Sequence, residues 1–433
     1  MNQQTEERNE TAEVRRKEPA KRRRKRRFGT GVAVGALSVL LIGICAWGVG
    51  GVLSGGFPFG TYASGQVSES DVSAKLDLLN SLLDRYYLYD DEVDEDALVE
   101  GIYSGYAAAL GDPYTEYYDE EETAALMEST SGEFSGIGAS MTQNTDGPGA
   151  VITTVYEDSP AAEAGLQEGD VISKVDGTDV SGMDLDSIVS LIKGEKGTEV
   201  TITVLRGGEE VEVTAVRDTI QVQTVEYNMM EDQIGYISVS EFDDVTYDQF
   251  KNALETLEGE GMEGLVIDLR NNPGGNLSTV TDMLKLLLPE GTIVSITDKN
   301  GDTEEVTCNG SNEFTKPLAV LVNQYSASAS EVFSGAIQDY GIGSIVGVTT
   351  YGKGVVQQLI DLGDGTCLKV TIAEYYTPSG RSINGVGVKP DVEAEYVYDT
   401  ENPEADNQLE TAVETVMAEL QKGERGQLSL PDS

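Results

Sequence analysis

GLVIDLRNNPGGNLSTVTDMLKLLL, residues 264–288, decides how this chain is read. It opens on a short, almost wholly apolar run, the composition of a strand buried on both faces of a sheet. RNNPGG breaks the run, and apolar residues then resume at helical spacing. Glycines just before a helix N-terminus leave N–H groups exposed, and the helix dipole makes such a turn suit an anion. Alone, the turn is either an anion cradle or a tight corner. The same layout returns at PLAVLVNQYSASASEVFSGAIQDYG, residues 317–341, as buried strand, short loop and amphipathic helix. Together the two units predict an α/β core.

The second unit places Ser326, Ser328 and Ser330 at its strand-to-helix junction. A serine there presents its hydroxyl at the end of a strand, and the following N–H can face an oxyanion. Helix capping is the ordinary alternative, and Ser330, followed by Glu331, reads as the cap that opens the helix. A nucleophilic serine needs a base, yet the 433 residues contain no histidine. GSIVGVTTYGKGVVQQLIDL, residues 343–362, offers Lys353 between Gly352 and Gly354, ahead of a strand. Such a lysine is commonly a surface turn residue, but it is also the remaining common base for a serine. To serve, it must be neutral, so neighbours such as Val346, Val355 and Val356 have to desolvate it and lower a free-lysine pKa of ~10.4 by several units. Gln357 lies four positions on. Full extension at ~3.3 Å per residue would leave it about 13 Å from Lys353, so the glycines must bend the chain for the two to touch.

Upstream, residues between Gly132 and Arg217 alternate apolar and polar with glycines at the turns. LDSIVSLIKG follows as an amphipathic helix, and EVTITVLRGGEEVEVTAV reads as a hairpin turning on Gly207-Gly208. This stretch, above all SPAAEAGLQEGDVISKVDG, resembles a PDZ domain. The resemblance makes Gly136, Ile137, Gly138 and Ala139 the loop that binds a chain-terminal carboxylate, through consecutive backbone N–H groups. The peptide would add as a strand beside the helix at residues 185–193. SLIK (190–193) fits a Ser-x-x-Lys pattern, but its companion motifs are absent and it carries no weight.

DLRNNPGG, SASASE and YGKGVVQQ together resemble the carboxyl-terminal processing peptidases, or tail-specific proteases, over nearly all of residues 68–397. The resemblance implies Ser328 as nucleophile, Lys353 as general base and Gln357 as the residue that orients it. It implies an oxyanion hole from the N–H of Ala329 and of Gly274 or Gly275. It also implies no cofactor, and as partners protein or peptide substrates with free C-termini. The expected fold is an α/β protease core (mixed sheet with helices, ClpP/crotonase-like) plus a mainly β PDZ domain, an N-terminal helical region and one transmembrane helix. Rival readings are a PDZ scaffold with an inactive core, and a different Ser–Lys hydrolase acting on cell-wall peptide.

The ends of the chain differ sharply in charge. Residues 1–27 carry 11 Lys/Arg against 5 Asp/Glu, and the rest carry 18 against 71. Such an acidic surface repels phosphate backbones and argues against nucleic acid as a partner; it reads as a solvated exterior, with adaptation to salt or divalent ions as the alternative. Residues 28–53 are apolar, and no charge appears again before Glu69. That length spans a bilayer, and the basic cluster before it places the catalytic region outside the cell membrane as a single-pass protein. A cleaved leader ending near TYAS (61–64) is the alternative. The expected divisions are a basic cytoplasmic tail (1–27), an anchor (28–53), a linker (54–67), a helical region (68–130), the PDZ domain (131–218), the protease core (219–398) and an acidic C-terminal segment (399–433). The helical region is assigned to packing or to a homo-oligomer contact, not to catalysis. Cys308 and Cys367 lie outside the membrane, where a disulfide is allowed but not demanded. Without histidine or a CxxC pair no metal is expected.

Overall fold

The computed structural model describes residues 68–144, 147, 149–403 and 405–428. The basic tail, the expected anchor and the linker lie outside them. No helix among the described residues is long and apolar enough to cross a membrane.

The first region is helical, with α1 (Glu69–Tyr86), α2 (Glu95–Ala108) and α3 (Glu120–Ser131), and a short strand β1 (Glu116–Tyr118) between the last two. Asp119 and Glu122 close a capping box at the start of α3, satisfying two donors that the helix itself leaves unpaired. Gly132, at φ 67°, ends α3 in the left-handed conformation. A Cβ there would lie 2.9 Å from that of Asp243, so glycine is needed for space as well.

The next region is mainly β. In chain order it holds β2 (Glu133–Gly136), β3 (Ala139–Gln143), β4 (Ala150–Val155), α4 (Pro160–Ala164), β5 (Val171–Val175), β6 (Thr178–Asp179), α5 (Leu185–Ile192), β7 (Glu199–Arg206), β8 (Glu209–Val216) and β9 (Asp218–Gln221). The main sheet runs β3-β4-β5-β7-β8, so β3 is an edge strand. Ile152, Ile172, Ile188, Ile202 and Val204 form its core. The β7–β8 hairpin turns on Gly207 and Gly208 at φ 60° and 91°, the positive pair that a two-residue hairpin needs. β2 and β9 pair as a separate ribbon at the two ends of this region.

The remaining elements are β10 (Val225–Met229), β11 (Ile234–Val239), α6 (Thr246–Gly259), β12 (Gly264–Asp268), α7 (Leu277–Leu284), β13 (Glu290–Asp298), β14 (Thr303–Asn309), β15 (Leu318–Val322), α8 (Ala329–Tyr340), β16 (Ser344–Gly347), β17 (Val355–Asp361), β18 (Cys367–Tyr376), β19 (Val392–Glu393) and α9 (Asn407–Leu428). The central sheet, β10-β11-β12-β15-β16-β19, is parallel except for β10. Every residue of β12 and β15 is buried, which is why both read as unbroken apolar runs. Phe250, Val280, Phe333 and Ile337 of α6, α7 and α8 pack against Leu265, Ile267 and Val320. Ala412 and Val416 of α9 pack against Val266, Leu321 and Val346, residues that alternate with the first set and so cover the opposite face. The amphipathic piece of the acidic segment thus lies on the sheet.

A second sheet runs β1-β18-β13-β14, with β17 also on β18. β1 reaches it from the helical region, pairing Glu116 with Lys369 and Tyr118 with Cys367. Cys308 on β14 and Cys367 on β18 are both buried free thiols.

The loop before α6 joins the regions. The Asp244 N–H donates to the carbonyl of Thr130, and the Asn276 side chain donates to both Thr130 and Asp244. Beside them Asp243 is buried, and burial together with Glu241 and Asp244 pushes its carboxyl up to about 8. A folded chain that holds this proton binds more protons than the unfolded one between the usual carboxylate range and pH 8. Its stability therefore falls as pH rises through that window and levels off above it. Asp243→Asn should flatten this decline: the denaturation midpoint at pH 9 rises relative to the native chain, while the two chains differ little at pH 4.

Candidate active site

The three serines of the 326–330 loop take different places. Ser326 Oγ donates to the Leu269 carbonyl at 2.7 Å, and Ser330 Oγ donates to the Asn272 carbonyl at 3.0 Å. Both thereby hold their loop against the RNNPGG turn. Ser330 is therefore not the cap of α8. That place belongs to Ser328, whose φ of 53° is rare for a residue with a side chain and costs about 1–3 kcal/mol where it occurs. The S-x-x-E spacing of Ser328 and Glu331 carries the capping signal that reading Ser330 alone overlooks.

Gly274 and Gly275 lie against this junction at φ 118° and 139°. A Cβ on Gly274 would lie 2.8 Å from Ser328 Cβ and 3.1 Å from the Ala329 nitrogen; one on Gly275 would lie 2.4 Å from the Phe242 carbonyl oxygen. Neither position admits a side chain. The Gly274 N–H donates to Asn272 Oδ1 at 2.9 Å. Among the described residues no hydrogen bond takes the N–H of Gly275 or of Ala329.

Lys353 is 1% exposed. Burial is the main force lowering its pKa well below the ordinary lysine value; Lys369 adds to it, and Asp112, Glu116 and Glu331 oppose it. Its Nζ sits 4.5 Å from the centre of the Tyr114 ring. The backbone beside it is fastened to the serine loop by two side chains that sequence reasoning missed. Glu331, fully buried, accepts from the N–H groups of Ser328 (2.9 Å), Lys353 (2.8 Å) and Gly352 (2.7 Å) and from the Thr350 hydroxyl (2.5 Å). Burial pushes its carboxyl up while these four donors hold it down, and burial prevails. The Tyr375 hydroxyl bonds to the carbonyls of both Ser328 and Lys353.

Gln357 is buried on β17, next to a register shift, and its Nε2 donates to Thr371 Oγ1 at 3.2 Å. Tyr114 was hidden from sequence reasoning because it belongs to the region assigned to packing, and GDPYTEYYD reads only as a helix break. A cavity of about 10 Å³ adjoins Ser328, lined by Leu277, Val332, Val355, Val356 and Tyr375 among others, with room for one water at most.

The predicted tail-binding loop lies at the open edge of the β-rich region. Gly136 closes β2 and Ala139 begins β3. The Ile137 carbonyl accepts from the Ala161 N–H at 2.7 Å, and the Gly138 carbonyl accepts from the Tyr156 N–H and the Ser159 hydroxyl. These bonds tie the loop's carbonyls inward. A Cβ on Gly138 would lie 2.5 Å from that of Ser159, so the loop's close seat on α4 requires glycine.

Residues 233–394 match the peptidase family S41, and residues 151–206 match the PDZ domain. The probable CtpA-like serine protease of Staphylococcus aureus (strain COL) is 40% identical over 307 residues, 70% of this chain and 61% of that protein. Its counterpart in Staphylococcus haemolyticus (strain JCSC1435) is 40% identical over 297 residues, 68% of this chain and 59% of that protein. The chain thus spans about three fifths of the length of these curated relatives. Among solved structures, the photosystem II D1 C-terminal processing protease is 32% identical, with 74% of this chain and 86% of that one covered and a TM-score of 0.43. The chain thus carries a peptidase family S41 region over residues 233–394 and a PDZ domain over residues 151–206.

Proposed function

We propose that this chain is a membrane-anchored carboxyl-terminal processing serine endopeptidase working through a Ser328–Lys353 dyad. Ser328 Oγ attacks the peptide carbonyl and its proton passes to neutral Lys353 Nζ. The tetrahedral oxyanion is held by the N–H groups of Ala329 and Gly275, Gly274 being engaged by Asn272. Collapse breaks the C–N bond, and Lys353 returns the proton to the leaving amine. A water then gives its proton to Lys353 and attacks the ester carbonyl; the C–O bond breaks, and Lys353 returns that proton to Ser328 Oγ. The observation that carries this reading is a lysine buried to 1% exposure whose backbone shares Glu331 and Tyr375 with the serine loop. Gln357 is assigned to orient Lys353 through the turn that leads into β17.

Residues 131–218 act as the PDZ domain and 219–398 as the ClpP/crotonase-like core, with 28–53 as the anchor that leaves both outside the cytoplasm. The edge position of β3, beside α5, supports capture of a substrate C-terminus by strand addition. Ser328 is only 5% exposed, beside a cavity of one water's size, so a peptide reaches it only after a rearrangement, which favours a gated enzyme. Leu78, Leu82, Tyr86, Leu98, Ile102 and Tyr106 on α1 and α2 are all exposed, an apolar face that suits a second copy of the chain.

The test is cleavage of an unstructured peptide with an apolar free C-terminus, followed by mass spectrometry. Wild type should cut it, and Ser328→Ala and Lys353→Ala should fall at least about 10³-fold. Amidating the peptide's C-terminus should slow wild type. Undiminished function in Ser328→Ala would establish the scaffold reading instead. Sedimentation of the same preparation should show a dimer, and a monomer would remove the role given to the α1–α2 face.

Glu331→Gln tests the frame beneath the dyad. An amide cannot accept at both ends, so one N–H group is left facing another. The cost should be about 2–3 kcal/mol in denaturant unfolding, with kcat down at least about tenfold and peptide binding to the PDZ domain unchanged. A stable, active variant would mean that Glu331 does not set the geometry.

A further inference from the structure

We propose that Tyr114 is a positioning residue for Lys353: it closes over the amine and keeps water from it, so that the base is assembled only when the 112–118 segment is seated on β18. The proposal rests on the reading of Lys353 as general base.

The segment comes from the helical region, more than two hundred residues before Lys353 in the chain, yet it is fastened beside it at several points. β1 pairs with β18 at three positions. Lys369, buried in β18, donates to Glu116 and to the Tyr118 hydroxyl, each at 2.5 Å. The Thr371 N–H donates to Thr115 Oγ1 at 3.2 Å, and the side chain of the same Thr371 receives Gln357. Within the segment Asp112 accepts from the Tyr114 N–H and the Thr115 hydroxyl, which fixes the turn that aims the ring. The ring then lies 4.5 Å from Lys353 Nζ.

A ring over an amine acts in two opposed ways. Its face attracts a cation, an effect equal to about 1.5 pKa units for a desolvated amine. It also excludes water, and burial can lower a lysine by about 3–5 units. Lys353 is buried and burial is the leading influence that lowers it, and the Tyr114 ring is one of the groups that cover it, so we take drying to outweigh attraction. The charges facing the amine are Lys369 on β18, Asp112 and Glu116 on the segment, and Glu331 on α8. The Tyr114 hydroxyl is itself pushed up to about 12 by burial and by Tyr351, so the ring brings no negative charge to the site.

The experiment uses the full chain in two measurements. Competitive labelling with acetic anhydride across pH, read by mass spectrometry on the Lys353 peptide in a Ser328→Ala background, gives the titration midpoint without requiring activity. The pH profile of kcat/KM gives its catalytic counterpart. Tyr114→Ala should raise the midpoint by at least one pH unit and cut neutral-pH kcat/KM at least tenfold, with recovery at higher pH. Tyr114→Phe, which keeps the ring, should restore the native midpoint. A midpoint in Tyr114→Ala that stays in place or falls overturns the proposal. If Tyr114→Ala fails to fold, Thr115→Val loosens the same segment and must raise the midpoint; an unmoved midpoint there also overturns it. A midpoint that shifts as expected in a chain that cleaves no peptide would remove the general-base role and leave only the ring's hold on the amine.

Discussion

One buried carboxylate sets the terms for the whole site. Glu331 gathers the N–H groups of Ser328, Gly352 and Lys353 and the hydroxyl of Thr350 on its two oxygens, with no water between. Donors from two separate loops therefore converge on one rigid group, and the loops cannot drift apart without exposing an unpaired charge in the interior. Ser328 stays in its uncommon backbone conformation because this bond and the Tyr375 hydroxyl grip it from both sides. Elsewhere Ser326 and Ser330 pin the serine loop to the 269–272 turn, so the two strand-to-helix junctions of β12 and β15 move as one body.

The proposed Ser328–Lys353 dyad, with lysine where many serine hydrolases use histidine, shifts the burden from hydrogen bonding to solvent exclusion. Histidine titrates near neutrality unaided, whereas lysine must be dried. Part of that dryness comes from the second sheet, where buried Tyr375 of β18 bonds to the Lys353 carbonyl. It does not supply all of it, since one side of the amine faces Tyr114 from a different region. The surroundings of Lys353 are therefore made by the helical region and the core together rather than by the core alone.

Much of this was readable from residue order, for definable reasons. β12 and β15 are five-residue apolar runs because both faces are covered, and the Gly207-Gly208 hairpin announces itself because only such residues make that turn cheaply. The crowding at Gly274 and Gly275 follows from the same logic of space. What was not readable depends on partners distant in the chain. β1 is three residues long, and nothing in Glu-Tyr-Tyr names a partner some 250 positions away. The capping serine was misassigned because Ser328 and Ser330 both precede Glu331, and only the bonds to Asn272 and Ser328 separate their tasks. The bond from Gln357 Nε2 across to Thr371 on β18 likewise has no signal in residue order.

The β1–β18 pairing also has a consequence for timing. Lys369 and Glu116 are 253 residues apart, and closing so long a loop is slow. A chain emerging from synthesis carries Tyr114 early, but β18 arrives only after Ser328 and Lys353 have been made. In the proposed dyad, Lys353 is enclosed only once that strand is in place, and before then its amine stays open to water and keeps its own proton. Such an order of synthesis would withhold the proposed reactivity until the strands that enclose Lys353 have all been made.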